Sequence, residues 1–178
     1  MDCEEVMLTV RIAAAERALL RELARGHGAD MSDVAADGLI DVVPSLHVLP
    51  LFPARPEPTV LPVAQGIGAG AGAASGPEAA PGPGPGDADV LRLLRVLARP
   101  APCAVTLWLP APVADLLPLV GERITAVTGL RIGPASAALS AALRYWLAGD
   151  PGQLAAGLAA LHRQGSLGLA PQRLDVAA

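Results

Sequence analysis

The sequence predicts a mostly helical fold with a short two-stranded antiparallel ribbon, and three observations predict it. A strand-helix-helix pattern occurs twice along the 178 residues, the two strand segments alternate apolar and polar side chains, and a Pro/Gly-rich stretch separates the copies. The first copy begins Leu8-Thr9-Val10-Arg11-Ile12 and the second Val105-Thr106-Leu107-Trp108-Leu109. A shift of 97 residues superposes the strands and lays Leu19-Leu20 on Leu116-Leu117; a shift of 104 lays Leu39 on Leu143 and Val42 on Trp146. An internal repeat outweighs any single motif as a guide to architecture.

In a strand, successive side chains point to opposite faces. Leu8, Val10 and Ile12 therefore face inward, as do Val105, Leu107 and Leu109, leaving Met7, Thr9, Arg11, Ala104, Thr106 and Trp108 facing outward. The next helix spans residues 14–25, with Leu19, Leu20 and Leu23 on one face and Gly26 and Gly28 as terminators. The last helix of the first copy starts at Ser32 as N-cap and stops before Pro44. In the second copy Val113, Leu116, Leu117, Val120, Ile124 and Val127 recur at helical spacing up to Gly129. Pro118 fits there if the helix starts late, with Asp115 as cap, and otherwise kinks it. A further helix runs from about Gly133-Pro134 to Leu147. Two more follow from periodicity: residues 87–99, with Val90, Leu91, Leu94 and Leu97 on one face, and residues 151–164, with Leu154, Leu158 and Leu161.

Domain bounds follow. Residues 1–43 form the first unit, 44–86 a linker, 87–150 a helix plus the second unit, and 151–178 a C-terminal helix and tail. Ten prolines and eight glycines in residues 44–86 predict a long disordered linker, because such a segment cannot bury enough apolar surface to offset its ordering entropy. Its first part, Val43 to Pro53, is more apolar and suited to docking on a neighbour.

Composition narrows the function. Net charge is −4, so no global positive field draws in nucleic acid. The acidic start, Met1 to Glu5, argues against a secretory or transit peptide, and no charge-free apolar run reaches the length of a membrane span. The expected location is cytoplasmic. His27, His47 and His162 lack metal-ligand spacing, and no serine, cysteine or carboxylate sits in a catalytic motif; neither an enzyme, a metal nor a cofactor is expected. Gly68 to Ala73 matches a relaxed dinucleotide-binding pattern, but with no strand before it the segment reads as a spacer. Cys3 and Cys103 both precede strands; in an antiparallel pairing centred on Thr9 and Thr106 they fall at opposite ends, beyond disulfide reach.

A lone strand must pair to satisfy its backbone. Pairing the two homologous strands across a pseudo-two-fold axis, with helices over one face, makes the pattern of residues 6–43 and 104–148 resemble the ribbon-helix-helix (MetJ/Arc-like) DNA-binding family, in two copies in one chain. The resemblance implies a tandem pseudo-dimer whose outward ribbon residues Met7, Thr9, Arg11, Ala104, Thr106 and Trp108 contact bases in the major groove. It also implies phosphate contacts at the start of the last helix of each copy, at Ser32, Asp33 and Val34 and at Ser136, Ala137 and Ala138. The implied partner is double-stranded DNA, and the implied function a sequence-specific transcriptional regulator of repressor or antitoxin type.

The charges complicate that expectation. Asp33, Asp37 and Asp41 line one helix face and would repel phosphate. Residues 1–55 carry five arginines against nine acidic residues, net −4; residues 88–150 carry six against four, net +2. The alternative is therefore a protein-interaction module that keeps the fold without binding DNA; a toxin or other protein held by the linker or tail is the second candidate partner. Strand pairing within one chain makes the monomer the pseudo-dimer, whereas pairing between chains makes a higher oligomer. A linker of this length spans on the order of 35 Å and permits either, with high local concentration favouring the first.

Overall fold

The computed structural model describes residues 4–52 and 85–168. The elements run β1 (Glu5–Ile12), α1 (Ala14–His27), α2 (Met31–Val48), α3 (Pro85–Ala98), β2 (Cys103–Pro110), α4 (Ala111–Ala114), α5 (Leu117–Thr128), α6 (Ala135–Leu147) and α7 (Pro151–Gly168). Among the described residues the fold is mostly helical with one two-stranded antiparallel sheet.

β1 and β2 pair with Thr9 opposite Thr106, Met7 opposite Trp108 and Arg11 opposite Ala104. The alternation resolves as the pattern predicts. Val10, Ile12, Val105, Leu107 and Leu109 are buried, whereas Met7, Thr9, Arg11, Ala104, Thr106 and Trp108 are exposed. The inner face joins Leu20 and Leu23 of α1, Val34 and Leu39 of α2, Leu117 and Ile124 of α5, and Leu139 and Leu143 of α6 in one core. Burial of side chains this size contributes about 1.5–3 kcal/mol each. A two-stranded ribbon has two open edges, and each is tied to a helix. The Trp108 amide donates to Ser32 Oγ of α2 at 3.1 Å, and Ser140 Oγ of α6 donates to the Arg11 carbonyl.

α1 runs through Gly26 to His27; Gly28 alone terminates it, at φ 65°. α2 starts one residue before Ser32. Its N-cap is Asp30, which accepts from the amides of Ser32 at 2.5 Å and Asp33 at 3.0 Å, while Asp33 returns a bond from the Asp30 amide. A short carboxylate reaches two amides where the Ser32 hydroxyl is engaged by the ribbon. α2 also continues through Pro44 to Val48. Pro44 lies on the exposed side, where water can bond the Ile40 carbonyl that loses its partner. Residues 44–48, read as linker, are therefore helix, Leu49 is buried, and α3 begins at Pro85. The remainder of the predicted linker, residues 53–84, lies outside the described residues, as do Cys3 and the tail from 169.

Arg123 of α5 secures the end of α2. Its guanidinium donates to the carbonyls of Leu46 at 2.9 Å and His47 at 2.6 Å in the last turn, where a helix lacks its own donors, and to that of the C-cap Leu49 at 2.6 Å. Phe52 then docks through its amide on the Ala126 carbonyl at 2.9 Å. In the second half, Pro118 sits in the first turn of α5, where it removes no helical bond, but the cap is Leu116; Asp115 closes the separate turn α4. α3 buries Leu93 and Val96 rather than Leu91, which is exposed. α7 seats Leu154 and Leu158 in the core.

One charged pair is drawn into this core. Arg144 of α6 is 5% exposed; its Nε lies 3.1 Å from Glu16 Oε2 and its Nη2 donates to the Arg99 carbonyl at 3.0 Å. Glu16 also accepts from the Ala13 amide at 2.6 Å. The pair joins the start of α1, the end of α3 and α6.

Candidate nucleic-acid interface

The ribbon's outer face brings six predicted residues together. At its centre, Thr9 Oγ1 and Thr106 Oγ1 lie 3.3 Å apart, so the two hydroxyls share one hydrogen bond and keep acceptor capacity for a ligand. On one side Met7 faces Trp108, at 57% and 50% exposure. On the other Arg11 stands opposite the small Ala104, which leaves the guanidinium room to move.

The six predicted helix-start residues separate into different roles. Val34 and Ala138 are buried, with amides bonded to the Asp30 and Pro134 carbonyls. Their side chains belong to the core. Ser32 accepts from the ribbon edge and Asp33 completes the cap of α2, so this end carries two carboxylates, Asp30 and Asp33. The start of α6 differs. Its N-cap is Pro134, which offers no side-chain acceptor, and Ser136 and Ala137 line a cavity of about 290 Å³ together with Thr9, Arg11 and Ser140. A positive helix end and an arginine thus converge beside the ribbon in the second half, whereas the first half closes the equivalent end with acid.

The acidic row on α2 has partners that sequence reasoning missed. Asp41 accepts from Trp146 Nε1 at 3.0 Å, and Asp37 lies 2.9 Å from His162 Nε2 of α7. The 104-residue shift places alanine or tyrosine at the three matching positions of α6, a hint that the row serves α2 alone. Among the described residues, no group of three or more His, Cys, Asp or Glu could hold a metal ion, and no helix is long and apolar enough to cross a membrane.

Comparison with protein-family models, with curated proteins and with solved structures finds no match to this chain.

Proposed function

We propose that the chain is a single-chain ribbon-helix-helix pseudo-dimer that binds DNA as a sequence-specific regulator of repressor or antitoxin type. The observation that carries this reading is the pairing register: homologous strands meet with Thr9 opposite Thr106, and all six outward residues are exposed on one face. A two-stranded ribbon fits the major groove, where arginine bonds guanine O6 and N7, and threonine bonds a base or touches a thymine methyl. The two ends of the ribbon are chemically unlike. Arg11 beside the α6 terminus suits a guanine and a phosphate; the Met7–Trp108 pair suits methyl groups and, next to the acid-capped α2, gains little from phosphate. The reading therefore calls for an asymmetric site.

The exposed Met7–Trp108 pair favours a second reading, a face that docks another protein, since exposed tryptophan and methionine are enriched in interfaces. Dimethyl sulfate protection of guanine N7, on fragments flanking the protein's own gene, separates the two. The DNA reading expects protection in one short tract, with one guanine lost from it in Arg11→Met. Absence of protection on every fragment at low salt would overturn it in favour of protein docking.

A further inference from the structure

A second cavity, of about 180 Å³, shares no residue with the ribbon face. It lies between α2, α3, α6 and the start of α7, and Asp41, Ser45, Arg92, Tyr145, Asp150 and Gln153 line it. The Arg92 guanidinium stacks over the Tyr145 ring, 4.4 Å from its centroid. Stacking uses the flat face of the group, and Tyr145 also takes a side-chain hydrogen bond from it. Nε has no hydrogen-bond partner but is shielded from solvent, with Asp89 3.9 Å away, so the donors that a ligand in the cavity can reach are the terminal nitrogens of this half-exposed side chain. A guanidinium edge of this kind matches the two oxygens of a carboxylate.

The other charges on the cavity are negative. Asp41 has one oxygen bonded by Trp146 Nε1, and Asp150 has one bonded by the Gln153 amide at 3.0 Å. Each carboxylate retains further acceptor sites. One cationic edge and two carboxylates make a dipolar lining with a net negative balance, so a plain anion is disfavoured and a molecule with both an ammonium and a carboxylate is favoured. The volume limits it to a small one.

We propose that this cavity binds a free α-amino acid, with its carboxylate on Arg92 and its ammonium toward Asp41 and Asp150. Ser45 and Gln153 supply neutral hydrogen bonds. Because α2 and α6 both line the cavity and both border the ribbon, the ligand sits where it can adjust their spacing, whatever the ribbon binds.

The test uses the full chain and the twenty free L-amino acids, by isothermal titration calorimetry and thermal unfolding. At least one amino acid binds saturably at one site per chain and raises the unfolding midpoint. Its methyl ester, its N-acetyl form and the Arg92→Met protein each lose about tenfold or more in affinity. Arg92 is half exposed, so that variant keeps the fold, and the ester comparison on the unaltered protein is independent of it. Binding by none of the twenty, or an ester that binds as tightly as the acid, would overturn the assignment.

Discussion

Gly38→Ala is a substitution for which two physical effects predict opposite signs. In a helix interior, alanine is favoured over glycine by about 1 kcal/mol, so propensity alone predicts a stabilised protein. In α2, however, a Cβ at position 38 would meet three carbons of the Trp146 ring at 2.7, 2.8 and 2.8 Å. Carbon atoms prefer about 3.5–4.0 Å, so the ring must retreat by close to 1 Å. It has little room to do so, being 4% exposed and held by Asp41 through Nε1 at 3.0 Å. Overpacking costs about 1–3 kcal/mol, and a pinned aromatic ring belongs at the upper end. Subtracting the propensity gain leaves a net loss of about 2 kcal/mol, or a fall of about 4–8 °C in the unfolding midpoint for a chain of this size. The repeat supplies a control. The 104-residue shift matches Gly38 with Ala142 and Trp146 with Val42, so the large residue of one half faces the glycine of the other. Trp146→Val in the Gly38→Ala background should therefore cost less than in the parent, a coupling that a double-mutant cycle in urea measures directly. A Gly38→Ala protein as stable as the parent, or more so, would refute the reasoning.

Three more expectations concern the core, the single tyrosine and the assembly. Glu16→Ala leaves Arg144 buried without its carboxylate and should cost about 3 kcal/mol in urea unfolding, while the added change Arg144→Met restores part of it; equal losses in single and double variants would contradict this. Tyr145 is the one tyrosine in the chain, and burial pushes its hydroxyl above the usual value of 10.0 against the opposing pull of Arg92. The folded state thus holds that proton more tightly than the unfolded chain. Its contribution is complete below pH 10 and declines as pH rises through the unfolded value toward the folded one. The tyrosinate absorbance should titrate above 10 in the native protein, and Tyr145→Phe should flatten the alkaline loss of stability; a native midpoint at or below 10 would contradict it. Pairing of β1 with β2 inside one chain predicts a monomer by light scattering at micromolar concentration; a clean dimer would argue for pairing between chains.

Much of the fold was legible because it rests on short-range pattern. Strand alternation identified every inward and outward residue of the ribbon, and the 97-residue shift matched Thr9 with Thr106 before any geometry. The misreadings have physical causes. In α3 both candidate stripes are leucine and valine, so periodicity cannot choose between them; packing against α6 selects Leu93 and Val96. Ser32 is a good cap in isolation, but Asp30 takes that place while the serine hydroxyl bonds the ribbon 76 residues away in sequence. Pro44 looks like a stop, yet the helix passes through it where residues 40 and 44 are exposed, and Arg123 secures the far end. The site was legible in part. Six outward residues could be read from alternation, but the different fates of the two helix starts could not. Nor could the structural work of Asp37 and Asp41, whose partners lie on helices more than a hundred residues away.

The most direct test of the DNA-reading ribbon is equilibrium binding of fragments from around the protein's own gene across a salt series, comparing the parent with Thr9→Ala/Thr106→Ala. The account predicts tight binding to one fragment, weakening with salt, and its loss in the double variant, which gives up the exposed Thr9–Thr106 pair, worth about 0.2–1 kcal/mol, and stays folded. Binding that survives the double change undiminished, or no binding to any fragment at low salt, would contradict it.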